Sequence, residues 1–172
     1  MKRFFSLALF LVVSTSAYGQ NPATQRQALD KLSFLEGDWT GEAWATLQDG
    51  SRIEMTQTEQ VRRKVDGLAL LIEGAGRNKG SDEVSYQALA TIFQDFQSGA
   101  YRMFGGTSDG RNGEMEVEVG DKRVVWWPKG MQNNVRYTIT ISDSGQWVEV
   151  GEFSPDGQSW IQFFGMTLSK VN

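Results

Sequence analysis

The sequence predicts an all-β protein, an antiparallel up-and-down β-barrel of about ten strands opened by one short N-terminal helix. Three observations carry that prediction. From Asp38 onward apolar and polar residues alternate, the period of a strand with one face buried. Glycine, asparagine and aspartate interrupt the alternation every 8 to 14 residues. The interruptions are short enough for hairpins, and ten hairpin-linked strands in an open sheet would leave two long unpaired edges, which closure removes.

The first residues stand apart from this pattern. Met1-Lys2-Arg3 is basic, Phe4 to Val13 is an apolar run too short to span a bilayer, and Ala17 and Gly19 are small residues at the spacing of a cleavage site before Gln20. Residues 1–19 therefore read as a secretory signal peptide and 20–172 as one domain, exported to a periplasm or beyond. No cysteine follows the apolar run, which excludes a lipid anchor there. Cleavage would remove Lys2 and Arg3, and the net charge would fall from −4 to −6.

Residues 20–24 form a short linker. Ala23 to Leu35 is the one helix predicted, with Ala28, Leu32 and Leu35 recurring on one face and Gly37 ending it. It is expected to lie across one end of the barrel. The predicted strands are Asp38–Gln48, Arg52–Val65, Leu68–Gly76, Val84–Phe93, Ala100–Gly105, Gly113–Val119, Arg123–Trp127, Val135–Ile141, Gln146–Phe153 and Ser159–Leu168. Asp49-Gly50 and Asp66-Gly67 suit tight turns, and Ser154-Pro155-Asp156-Gly157 suits a type I turn followed by a left-handed glycine. In the first strand Trp39, Gly41, Ala43, Ala45 and Leu47 share a face. Three small residues in a row either leave interior space or let a neighbouring strand cross closely.

Composition removes several function classes. With no cysteine there is no disulfide, thiol nucleophile or thiolate metal site, and with no histidine there is no Ser-His-Asp catalysis and no histidine-bound zinc or haem. The acidic balance argues against a nucleic-acid partner, since phosphate contacts need clustered Lys and Arg. Within residues 20–172 only Arg62-Arg63-Lys64 is locally basic, and it reads as a solvated strand end. No further apolar segment reaches membrane-spanning length. No metal and no cofactor is assigned, and no catalytic residue.

Gly37-Asp38-Trp39, after a short helix and at the head of the first strand, resembles the Gly-x-Trp start of the calycin barrels: lipocalins, fatty-acid-binding proteins and nitrobindin-like proteins. FLEGDWTGEA, the run Asp66 to Gly74 and the stretch Trp147 to Gly157 resemble bacterial lipocalin-like domains of unknown function. The resemblance implies a barrel whose apolar interior holds a small hydrophobic molecule, with Trp39 closing one end beneath the helix. The chain departs from the nitrobindin-like pattern, because it lacks the haem histidine. It departs from the fatty-acid-binding pattern too. There an Arg-x-Tyr pair holds a carboxylate, whereas Arg136 and Tyr137 are adjacent and point to opposite faces.

Candidate wall and ligand-orienting residues follow from the alternation. Gln57 and Glu59 share a face with Ile53, Met55 and Val61, so they are polar groups inside a barrel unless a bulge flips the strand. Gln162 shares a face with Trp160, Phe164, Met166 and Leu168. Glu149 lies with Trp147, Gly151 and Phe153 under the same ambiguity. Tyr137 sits on the apolar face of its strand, and Trp126-Trp127 places one tryptophan on each face. The expected ligand site is Trp39, Gln57, Glu59, Trp126, Tyr137 and Gln162. The expected function is exported binding of a small hydrophobic or amphipathic ligand. A solid barrel working as an interaction module and a carboxylate-based enzyme are the alternatives, and enzymatic activity is left open, as is the oligomeric state.

Overall fold

The computed structural model describes residues 21–171, so the signal-peptide reading of residues 1–19 lies outside the described residues. The chain opens with α1 (Pro22–Asp30). Asn21 caps it by accepting the Ala23 N–H at 3.1 Å, and Pro22 takes the first turn, where an N–H would have no partner. The helix ends earlier than its apolar spacing predicts. After Asp30 the chain tightens into a 3-10 turn at Ser33–Leu35, and the Leu35 carbonyl accepts the Trp39 indole N–H at 2.8 Å. Leu29, Leu32 and Leu35 are fully buried together as a plug.

Ten strands follow: β1 (Gly37–Thr46), β2 (Arg52–Lys64), β3 (Ala69–Asn78), β4 (Val84–Gln94), β5 (Tyr101–Thr107), β6 (Asn112–Gly120), β7 (Arg123–Pro128), β8 (Val135–Ile141), β9 (Trp147–Phe153) and β10 (Ile161–Lys170). Each pairs antiparallel with the next, and β1 also pairs with β10, so the sheet is a closed ten-stranded barrel. The closing seam runs from Trp39 opposite Lys170 to Ala45 opposite Phe164.

Burial divides the interior along the barrel axis. At the helix end Trp39, Val61, Leu70, Ile92, Val124, Trp147 and Leu168 pack under the leucine plug. Trp39 meets Trp147 edge-on, ring centroids 5.7 Å apart. Polar clamps hold the helix there. Arg63 donates to the Leu29 carbonyl at 3.0 Å and to Glu36 at 2.7 Å, and the Tyr101 hydroxyl donates to the Ala28 carbonyl at 2.8 Å. Arg62 pairs with Asp38 at 2.6 Å. The basic run thus fastens the closed end instead of forming a patch. Toward the other end, bounded by the β1–β2, β3–β4, β5–β6, β7–β8 and β9–β10 connections, the inward residues Ala45, Tyr86, Ala88, Ala90, Trp126, Tyr137 and Phe164 are only half-buried. Among the described residues no helix is long and apolar enough to cross a membrane.

Gly41 shows which use the small residues of β1 serve. A Cβ there would lie 2.9 Å from the Leu168 Cα and drive into the Thr167 carbonyl oxygen, so Gly41 permits the close approach of β10. Gly113, on the inward face of β6, has nothing within 4 Å of a built Cβ and faces open space. We expect Gly41→Ala to destabilise the fold by about 1–3 kcal/mol or more, as overpacking against rigid backbone does. Gly113→Ala is expected to be close to neutral, with urea unfolding of the two variants as the measurement.

Candidate functional site

Two strands place three polar side chains across the middle of the barrel, on top of the sealed apolar end. On β2 the alternation that buries Met55 and Val61 also carries Gln57 and Glu59 inward, and both are buried. No bulge interrupts β2 against β1, so the face holds along its length. Room for the two long side chains comes from β3, where Gly74 lies opposite Glu59 and Gly76 opposite Gln57. A Cβ at Gly74 would sit 2.6 Å from the Glu59 carboxylate, and one at Gly76 would sit 2.9 Å from Gln57 Oε1. On β9 the same period carries Glu149 inward between Trp147 and Gly151.

The polar contacts within this floor are few. Gln57 Nε2 donates to Glu59 Oε1 at 2.7 Å. Glu149 accepts the Trp126 indole N–H at 3.2 Å on one oxygen and the Trp147 indole N–H at 3.3 Å on the other. Among the described residues no lysine or arginine pairs with either glutamate. Burial pushes the Glu59 carboxyl up to about 8, with the Glu149 charge adding to the rise and the Gln57 N–H opposing it. Burial likewise pushes Glu149 up to about 7 against the pull of the two indoles.

Aromatic rings form the wall above the floor. Trp126 and Tyr137 stack face to face, centroids 3.9 Å apart and planes within 3°. Gly151 makes the slot for Tyr137, since a Cβ there would meet the ring at 2.8 Å. Phe163 and Phe164 meet Tyr137 edge-on. Burial raises the Tyr137 hydroxyl to about 12, so it stays protonated. At the rim Arg111 is tied to Asp109 at 2.7 Å and is largely exposed.

The structure brings together four of the six residues expected from sequence and separates two. Gln57, Glu59, Trp126 and Tyr137 all face the interior. Trp39 also points inward, but it lies below the floor in the sealed core, bonded to Leu35 and packed on Trp147. Gln162 faces outward, contrary to the sequence expectation. A bulge at Phe163 between Gln162 and Phe164 shifts the register of β10 against β9 and inverts the face. Gln162 instead borders a groove of about 270 Å³ over β1, β2, β9 and β10, where Arg52 stacks on Trp44 with its guanidinium carbon 3.8 Å from the ring centroid. Of the two tryptophans in β7, Trp127 is the outward one, buried with its indole N–H on Glu116 at 2.7 Å. Glu149 was not among the expected site residues. Its signal was a carboxylate on the apolar face of Trp147 and Gly151, the same signal that singled out Glu59.

No family model and no curated protein matches this sequence. Solved structures do resemble it. The crystal structure of Rv2717c from M. tuberculosis is similar with a TM-score of 0.62 at 11% identity, covering 84% of this chain and 98% of that one. A protein of unknown function from the DUF3598 family of Nostoc punctiforme is similar with a TM-score of 0.52 at 14% identity, covering 81% of this chain and 49% of that one. At these identities the likeness is one of fold.

The two glutamates make stability depend on pH in a definite direction. Each is ionised in the unfolded chain above about pH 4.5, whereas the folded protein holds its proton to about 7 and about 8. The unfolded state therefore binds fewer protons across this window, and stability falls as pH rises through it. We expect a loss on the order of several kcal/mol between about pH 4.5 and 8, because each tenfold difference in proton affinity between the folded and unfolded chain is worth roughly 1.4 kcal/mol. The lowered carboxyls of Asp95 and Asp156 act below that window and do not mask it. Chemical denaturation of the wild type against Glu59→Gln plus Glu149→Gln measures this, and the double variant is expected to flatten the slope.

Proposed function

We propose that this protein is an exported binding module, a lipocalin-like barrel that holds one small amphipathic molecule in its half-open interior. The observation that carries the reading is the division of that interior. A sealed apolar core closes the helix end, a polar floor of Gln57, Glu59 and Glu149 lies on it, and an aromatic wall of Trp126, Tyr137 and Phe164 rises toward the mouth. Ligand sites combine this way, with a mostly apolar wall and a few convergent polar groups that set orientation.

A barrel that served only as a solid scaffold would gain from apolar side chains at positions 57, 59 and 149, because buried carboxyls without charge partners cost stability. Half-buried inward rings and the empty space before Gly113 support an open interior. The export component rests on the signal-like residues 1–19. The calycin-type layout rests on the helix followed by Gly37-Asp38-Trp39 at the head of β1.

Native mass spectrometry of the protein, recovered from the periplasm without detergent, tests the reading. We expect an added mass of a few hundred daltons that disappears on denaturation and is reduced in Tyr137→Ala. A periplasmic fraction containing no processed protein would refute the export component. An unliganded mass, with no binding of any amphipathic probe, would refute the binding component.

A further inference from the structure

We propose that the molecule held in this interior is a small organic cation, a primary aryl- or alkylamine, with its ammonium group between Glu59 and Glu149 and its apolar body against Trp126 and Tyr137. This assignment rests on the binding reading above and names its ligand class.

The argument is an inventory of donors and acceptors. The floor holds two buried carboxyls from β2 and β9, strands that the closed order separates only by β1 and β10. Glu59 keeps only 8% of its surface exposed. Its Oε1 takes the Gln57 amide, and its Oε2 accepts no hydrogen bond from a described residue. Among the described residues no side-chain oxygen or nitrogen sealed from solvent lacks a partner, so Oε2 borders the interior space. Gln57 Oε1 is in the same position, with its amide nitrogen donating to Glu59 and to the Thr58 carbonyl. Once its carboxyls ionise, the floor presents unfilled acceptors and no free N–H group of its own. An ammonium supplies three N–H donors and the missing positive charge.

Other ligand classes fit less well. A fatty acid or other anion would find no basic group on the floor, and its charge would oppose the ionisation of both carboxyls. Arg111, a basic residue at that end of the barrel, is tied to Asp109. A purely apolar ligand would leave the Glu59 and Gln57 acceptors without partners in a drier interior, which costs more than leaving them to water. The stacked Trp126–Tyr137 pair offers ring faces that attract a cation and pack an apolar chain.

The titration of the floor agrees with this geometry. Empty, the two carboxyls hold their protons near neutral pH. A cation draws them to ionise, so binding releases protons and tightens as pH rises. The other titratable and charged groups facing the pair do not titrate in that range. Tyr86 from β4 and Tyr137 from β8 are both raised above the ordinary tyrosine value, and Arg111 and Asp109 from the β5–β6 turn stay charged. Lys170 lies over Trp39 at the sealed end.

Calorimetric titration of the full exported chain with three shape-matched probes tests the assignment: phenethylamine, phenethyl alcohol and phenylacetate. We expect the amine to bind at least about tenfold tighter than the alcohol at about pH 8.5, and phenylacetate weakest. Amine affinity is expected to rise roughly tenfold or more from about pH 6 to 8.5, with a buffer-dependent heat that reports proton release. Glu59→Gln plus Glu149→Gln, its fold checked by circular dichroism, is expected to lose the preference for amine over alcohol. Should that variant misfold, the wild-type pH dependence and proton release decide. Alcohol binding as tightly as amine, or phenylacetate binding tightest, overturns the cation assignment and leaves interior binding standing. Failure of all three probes together with an unliganded native mass overturns both.

Discussion

Closure of the sheet is the constraint on which the other features depend. Nine hairpin pairings form between neighbours in sequence, but the tenth, β1 with β10, joins the two ends of the strand order. Without it both edge strands would expose unpaired N–H and C=O groups along most of their length. The seam is held by backbone bonds and by a close approach that only Gly41 allows. Trp39, two residues before Gly41, anchors the same strand to the helix end through Leu35 and to the core through Trp147. One short stretch therefore fastens the barrel shut and caps it.

Once the barrel is closed, its contents follow from where apolar mass is placed. The leucine plug and the two tryptophans fill one end, and there the interior is dry and packed. Farther along, the inward positions of β1, β3, β4, β5 and β6 carry Ala45, Gly74, Gly76, Ala88, Ala90, Gly105 and Gly113. The space beside Gly74 and Gly76 is taken by Glu59, Gln57 and Met55, and that beside Gly105 by Met115, whereas Gly113 borders open space. Gly74 and Gly76 bear directly on the floor, because any side chain there would displace the Glu59 or Gln57 head groups.

Much of this was legible before the structure. Strand alternation placed all ten strands within about two residues of their observed bounds, because burial on one face imposes a period that turn residues punctuate. The inward facing of Gln57 and Glu59 was legible for the same reason, since β2 runs without a bulge against both neighbours. Gln162 was not legible. Phe163 and Phe164 are both large and apolar, so nothing in the local sequence shows which of them is the extra residue of a bulge, and one inserted residue inverts the face. Helix length failed differently. Apolar spacing continues through Leu35, but the demand that Leu29, Leu32 and Leu35 all enter one barrel end favours a tighter final turn over continued α-helix. The meeting of Glu149 with Glu59 is a tertiary fact. The two lie 90 residues apart in the chain, and only the β1–β10 closure makes β2 and β9 near neighbours, with just those two strands between them.

The floor is the place where the sequence works against its own stability. The core beneath it is apolar, so substituting apolar groups at positions 59 and 149 would extend that core. Instead two carboxyls lie in a desolvated interior where neither has a basic partner and the charge of Glu149 raises the cost of ionising Glu59. Structural ion pairs do not explain the arrangement, since neither glutamate belongs to one among the described residues. On the strand beside β2, Gly74 leaves room for the Glu59 head group, and Gly76 leaves room for Gln57 and Met55. Those glycines leave the room that the two head groups of the proposed site need. On the reading proposed above, a cation that ionised both carboxyls would bind the folded barrel alone, and its binding free energy would add to the stability of the fold.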